Sequence, residues 1–267
     1  MFRMKSKISS WVLLLVVLLA TGCGKKKTWA EVYAVKGNVV SLTDTTWSAS
    51  EKFGEVYRER MTGYTKTELN KHGQLVSQTF FDEDGHIERK MVQAWKDKYA
   101  LSSIIHYNAD GEVSLKMIFH YDGDKISSMV EESNEDHNET VYKYEWDGDR
   151  LSKITATKEG KTETRSYAYK EDGSCRLSIV SFDGTTSEFD LDSEERIVKC
   201  HLGEHNYSYQ YAKSGLLEKF SDSNGETTYE YKFDKQGNWT ERVGRIKRGK
   251  EKAEVCELVV RSVEYGQ

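Results

Sequence analysis

The feature that most constrains this chain is a short pattern that recurs along it. An alternating aromatic strand runs into a polar turn holding Asp and Gly, and an apolar residue opens the next strand within one to four positions. Phe81-Asp82-Glu83-Asp84-Gly85-His86-Ile87 is the first clear copy, and Tyr107-Asn108-Ala109-Asp110-Gly111-Glu112-Val113 the second. Shortened copies stand at Tyr121-Asp122-Gly123 and Trp146-Asp147-Gly148, and fuller ones at 169–173, 211–217 and 233–239. A degenerate copy, Phe189-Asp190-Leu191-Asp192-Ser193, lacks the glycine. Such self-similarity means that one supersecondary unit is stacked on its neighbours.

Gly148, Gly173, Gly215 and Gly237 lie 25, 42 and 22 residues apart, with the degenerate copy filling the long gap. A unit of that length, with a second turn such as Lys158-Glu159-Gly160-Lys161 inside it, is a strand, a turn, a strand and a turn. Glycine supplies the positive φ of such turns and Asp or Asn bonds its own backbone there. The pattern therefore predicts positive φ at Gly85, Gly111, Gly173, Gly215 and Gly237.

Between turns the period is two, as in Tyr142-Lys143-Tyr144-Glu145-Trp146 and Tyr229-Glu230-Tyr231-Lys232-Phe233. One face is buried and the other wet. The 16 Tyr, 9 Phe and 6 Trp suit cross-strand packing, and the absence of proline keeps every backbone N–H available to a ladder. Residues 28–63 fit less regularly, with strand-like stretches at 32–42 and 56–64 around the polar stretch 43–50. The expected fold is all-β, an antiparallel meander of 14 to 18 strands forming a curled single sheet, a spiral or an incomplete barrel. Open sheets rarely exceed about 10 strands without curling or splitting.

The N-terminus has a different character. Arg3, Lys5 and Lys7 precede an apolar run from Trp11 to Ala20, which is half the ~20 residues needed to span a bilayer. This is a signal peptide's layout. Leu19-Ala20-Thr21-Gly22-Cys23 resembles the lipobox of bacterial lipoproteins, Ala20 standing where Leu is usual. The resemblance implies removal of residues 1–22 and acylation of Cys23, so that acyl chains hold the protein on a lipid bilayer. Residues 23–30 then read as a tether and 31–267 as the β domain. Lysines at 25–27, where surface-exposed lipoproteins of some Gram-negative phyla carry acids, point to an outer-membrane protein facing the periplasm.

Without residues 1–22 the chain has 36 basic and 44 acidic residues, a net of −8. Apart from Lys25-Lys26-Lys27 and Arg245-Ile246-Lys247-Arg248 it shows no basic stripe, and nucleic acid is not an expected partner. Cys175, Cys200 and Cys256 cannot all pair internally. Cys175 with Cys200 is one permitted disulfide, and three unpaired or partly buried thiols are the expected state.

The units resemble degenerate YD repeats of the RHS family, Tyr231-Lys232-Phe233-Asp234-Lys235-Gln236-Gly237-Asn238 being the nearest match, over residues 64–243. The chain is similar to small exported YD-repeat lipoproteins and too short for the closed shells of long members. Neither a GxSxG, HExxH, GxxxxGK[ST] nor GxGxxG motif is present, so no catalytic residue and no cofactor is expected. His201 and His205 flank a turn, where a four-residue spacing does not align ligands, so no metal is expected. His106 and His120 read as outward imidazoles, and Asp122/Asp124 and Asp147/Asp149 as turn residues. Tyr107, Tyr121, Trp146, Tyr169, Tyr211 and Phe233 hold equivalent strand-end positions. They form either an aromatic ladder closing the core or a stacking platform for a glycan or peptide. The expected function is a non-catalytic binding or scaffolding module of the cell envelope, with a carrier of lipid or other hydrophobic ligand as the alternative.

Overall fold

The structure, a computed structural model, describes residues 26–134 and 137–266; Cys23 and the signal segment lie outside them. Among the described residues one short helix, α1 (Trp29–Val32), precedes eighteen strands. These are β1 (Val39–Lys52), β2 (Glu55–Leu69), β3 (Leu75–Phe81), β4 (Ile87–Trp95), β5 (Leu101–Tyr107) and β6 (Val113–Asp122). Then come β7 (Lys125–Ser133), β8 (Asn138–Asp147), β9 (Arg150–Lys158), β10 (Lys161–Tyr169), β11 (Cys175–Val180) and β12 (Thr186–Leu191). The last six are β13 (Ile197–Leu202), β14 (His205–Tyr211), β15 (Leu217–Asp222), β16 (Gly225–Phe233), β17 (Trp239–Lys247) and β18 (Glu254–Tyr265).

Every strand pairs antiparallel with its sequence neighbours, and β1 pairs with both β2 and β18. Leu42 faces Thr67 on one side and Val263 on the other. The expected antiparallel meander therefore goes past a curled sheet or incomplete barrel and closes into a full barrel, and it is not a spiral. Closure removes the two exposed edges that an eighteen-strand sheet would present. It also explains why β1 runs straight through the polar stretch 43–50, where Thr45 pairs with Tyr64 and Val260 at once. Ladders on both sides override a weak apolar pattern.

The turns follow from their residues. At Asp82 the N–H donates to the His86 carbonyl, Gly85 donates back to the Asp82 carbonyl, and Asp82 Oδ1 accepts from Asp84 and His86 N–H. Gly85, Gly111, Gly173, Gly215 and Gly237 all have φ between 80 and 89°. The degenerate copy keeps this geometry two residues later than the sequence suggested. Asp192 is its turn residue, Leu191 takes the ring's place against Ile197, and Glu195 sits at φ 65° where the others have glycine. A side chain at Gly111 would meet nothing within 4 Å, so only backbone strain opposes it. Gly111→Val is expected to lose about 1–2 kcal/mol, read as a lower midpoint in calorimetry; an unchanged midpoint would refute the turn assignment.

The two faces of the wall differ sharply. In β8, Thr140, Tyr142 and Tyr144 are buried while Glu139, Lys143 and Glu145 are exposed. Leu42, Ile104, Met117, Met129, Leu151, Ile154 and Leu177 are at most 2% exposed on the lumen side. A round eighteen-strand wall leaves an aqueous channel, so complete burial requires cover from across the lumen, and side chains fill it. One cluster joins residues of β1 to β9, and a second joins Cys175, Leu177, Phe189, Ile197 and Cys200. Outside, charges pair across neighbouring strands: Lys116 with Glu132, Lys153 with Glu145, Arg176 with Asp190, Lys232 with Glu241. A basic residue at a bilayer midplane costs ~2–4 kcal/mol on a lipid-facing wall. This wall has the apolar-in, charged-out order of a barrel standing in water.

The lumen is not wholly apolar. Arg165 donates to Glu163 at 2.8 Å from Nε and 2.7 Å from a terminal nitrogen, and its guanidinium lies 5.2 Å from the Tyr142 ring centroid. Arg261 forms a two-point pair with Asp44 and lies 3.6 Å above Trp239. His106, expected to face outward, instead shares the lumen row of Met91 and Leu115. Its Nε2 is buried without a partner, and burial followed by the nearby Arg89 charge lowers its pKa, keeping it neutral at pH 7. His120 does face outward. Cys175 and Cys200 are buried thiols and Cys256 an exposed one, with burial pushing Cys200 up to about 11.

Candidate binding site

One rim of the barrel is crossed by the segment that precedes β1. Thr28 and Glu31 form a capping box, the Glu31 carboxylate accepting the Thr28 N–H at 2.6 Å and Thr28 Oγ1 accepting the Glu31 N–H. That reciprocal cap supports a helical turn too short to form alone. Ala30 N–H donates to the Gly73 carbonyl, and Trp29 N–H to the side-chain oxygen of Gln74, which is 1% exposed. The Gln74 amide nitrogen in turn donates to the Lys98 carbonyl. At the far side Lys36 and Asn238 exchange two bonds, Lys36 N–H to Oδ1 at 2.7 Å and Nδ2 to the Lys36 carbonyl at 2.8 Å. Lys26 pairs with Asp124 between β6 and β7, and Lys27 with Glu194 between β12 and β13. Contacts to turns so far apart around the ring make residues 26–38 a strap across the mouth. Of the expected tether, residues 26–30 thus belong to the packed domain.

Between this strap and the β4–β5 and β6–β7 turns lies a cavity of about 180 Å³. Trp29, Tyr33, Trp95, Tyr99 and Tyr121 wall it. Trp29 and Tyr33, one helical turn apart, stack at 4.3 Å and 25°. Burial pushes the hydroxyls of Tyr33 and Tyr121 up to about 12, so both stay protonated at any physiological pH. Gln93, 4% exposed, also lines the cavity, and its amide nitrogen's bond is a 4.0 Å contact with the Met91 thioether. At the edge Asp97 accepts the Tyr99 and Ala100 N–H groups at 2.7 and 2.9 Å, which holds it below the usual carboxylate range. The Lys26 partner holds Asp124 below that range too.

The six aromatic residues singled out from the sequence do not share one position. Tyr121, Trp146, Tyr169 and Tyr211 stand at the ends of even-numbered strands at the strapped rim, and each donates to the carbonyl of the first or second residue of the strand before it. The acceptors are Leu101, Ile126, Leu151 and Ile197, at 2.8 to 3.1 Å. Trp95 does the same to Leu75, and Tyr231 to Leu217. Phe233, two residues beyond Tyr231, is 53% exposed. Tyr107 ends an odd-numbered strand, β5, and so stands at the opposite rim. Only Tyr121 of the six lines the cavity. The sequence reading missed Gln74, Gln93, Trp95 and Tyr99. Gln74 and Asn238 do carry a weak signal, since each follows a turn glycine in its repeat.

Other groupings are spent on local structure. Asp82, Asp84 and His86 bring ligand atoms within 4.8 Å of one another, but Asp82 serves its own turn. His201 pairs in register with Asn206 and His205 with Leu202, which puts the two imidazoles on opposite faces. Arg245 pairs with Glu51 and Glu230, and Arg248 with Glu254, so the basic segment is matched by acids.

No family model matches the chain, and no curated protein does. Among solved structures, a porin-like protein from Bacteroides uniformis ATCC 8492 is similar at 14% identity and a TM-score of 0.43, over 86% of this chain and 98% of that one. A porin-like protein from Bacteroides vulgatus ATCC 8482 is similar at 11% identity and a TM-score of 0.37, over 85% and 98%.

Proposed function

We propose that this protein is a non-catalytic binding module of the bacterial cell envelope, anchored through an acylated Cys23 in the outer membrane and facing the periplasm. The observation that supports it is the strapped rim, where the fold leaves an aromatic cavity instead of packing to the end. A compact pocket with aromatic walls and a few fixed polar groups has the make-up of a small-ligand site. The alternative, a carrier of lipid, needs a long apolar cavity. Ile104, Met117, Met129 and Ile154 fill the lumen where such a chain would lie, which favours the first reading. Three residues reach about 11 Å at most, so an acylated Cys23 keeps Lys26, and with it the strapped rim, close to the bilayer.

Two measurements test this. Cys23→Ser is expected to abolish labelling with palmitate and release the protein to the soluble fraction; unchanged labelling and fractionation would remove the anchor. For binding, small-molecule fractions from cell envelopes are added to the parent and to Tyr99→Ala while unfolding is followed. Saturation at 100 times Kd adds about 2.7 kcal/mol, a rise of roughly 5–10 °C for a chain of this size. The parent is expected to show that rise and the variant to lack it. If no fraction shifts the parent, or both shift alike, the rim is not the binding end.

A further inference from the structure

We infer that the strapped cavity binds a single hexopyranose ring, free or as the headgroup of a glycolipid. The inference rests on the binding reading above and names its ligand. Size gives the first bound: a cavity near 150 Å³ takes a benzene ring, so about 180 Å³ holds one substituted six-membered ring and no chain. The walls give the second. Trp29, Tyr33, Trp95, Tyr99 and Tyr121 present ring faces and edges, which suit a ligand with C–H groups on one side.

Polarity decides between a sugar and an apolar ring. Gln93 is 4% exposed, lines the cavity, and bonds there only weakly to a thioether sulfur at 4.0 Å. An apolar ring over it would leave that amide unmet, at the cost of a buried unsatisfied group, whereas ring hydroxyls would satisfy it. Gln74, by contrast, is already engaged with Trp29 and Lys98. Charge favours a neutral ligand, because both signs alternate at the edge: Lys26 pairs with Asp124 at 3.0 Å, Lys27 pairs with Glu194, and Lys96 neighbours Asp97. A phosphate or a quaternary ammonium would meet charges of both signs there and no excess of its opposite. Lys26 lies three residues after Cys23, so lipid headgroups are within reach of the opening as well as free sugar.

The mature full chain would be titrated with methyl glucoside, methyl galactoside and N-acetylglucosamine, following the fluorescence of Trp29 and Trp95 and the heat of binding. Indole and choline serve as apolar and cationic controls. A pyranoside is expected to bind, with Gln93→Leu and Tyr99→Ala each weakening it at least tenfold; Tyr99 is on a loop, so that variant tests the site even if Gln93→Leu folds poorly. Cys23→Ser protein mixed with phosphatidylcholine vesicles, with and without monoglucosyl diacylglycerol, separates the sources. Recruitment by the glucosyl lipid without binding of free glucoside identifies a headgroup, and the reverse identifies free sugar; either supports the proposal. It is overturned if neither free nor lipid-borne pyranose binds, if both variants bind like the parent, or if indole or choline binds in preference. In those cases an envelope fraction that still stabilises the parent leaves the binding module standing with another ligand.

Discussion

Tyr211→Ala is expected to cost about 3 kcal/mol of folding stability, while Phe233→Ala costs less than about 1 kcal/mol. The sequence assigns both residues to one repeated position, so the contrast tests the structure and not the repeat. Tyr211 is held at its hydroxyl and over its ring. Its hydroxyl donates to the Ile197 carbonyl at 3.1 Å, the Arg196 guanidinium lies 4.8 Å from its ring centroid, and burial drives its pKa up, so that the donor proton is never lost. Truncation removes the ring's packing and leaves the carbonyl at the start of β13 without its donor. Phe233 projects from the end of β16 with half its surface in water. Tyr211→Phe isolates the hydrogen bond and is expected to cost about 1 kcal/mol. In a chain of this size about 3 kcal/mol moves the melting midpoint by roughly 6–12 °C, well resolved from the Phe233→Ala shift. Equal melts for the two alanine variants would mean that the rim rings are not fastened as the structure has them.

How much was legible in the sequence follows from what each residue answers to. Period-two alternation, turn glycines and the aromatic-rich repeats are local, and they located nearly every hairpin from residue 64 onward. Closure was not local: it depends on β1 meeting β18 across more than 200 residues, and nothing in 39–52 advertises that partner. The degenerate copy reads two residues early in the sequence, because Phe189 looks like the strand-end ring and no glycine marks the turn. The structure shows that Asp192 and Glu195 perform the turn, the latter in a conformation costly to a side chain. The candidate cavity was legible only through Tyr121. Gln74 and Asn238 look like ordinary turn residues, and only the strap, a segment with no repeat of its own, turns them into two of its fastenings. The inward turn of His106 also escaped, because alternation fixes which residues share a face but not which face is inside when both carry apolar side chains.

Arg165→Met is expected to be the most damaging single change in the lumen, with a loss of about 3–5 kcal/mol at neutral pH. Arg165 and Glu163 have side chains only 15% and 12% exposed, so their pair is largely cut off from water. Glu131, on β7, already has a raised pKa: burial is the main cause, opposed chiefly by the Arg165 charge. Removing the guanidinium therefore leaves two buried carboxylates in one another's field, with only the weaker Lys158 charge opposing it. The sign of the pH dependence follows from linkage. A carboxyl whose folded pKa is raised binds more protons in the folded state, so stability falls as pH rises from the ordinary carboxylate range through the folded value. The deficit of Arg165→Met against the parent is thus expected to be largest near pH 8 and to shrink toward pH 5, where Glu131, deprived of its main opposing charge, takes up a proton. Urea unfolding at the two pH values measures it. Replacing the pair together, as Arg165→Met with Glu163→Leu, should recover most of the loss, since a buried pair exchanged for apolar side chains of like size is often neutral. A loss equal at both pH values, or a double variant no better than the single, would show that Arg165 acts through its packing on Tyr142 and not through its charge.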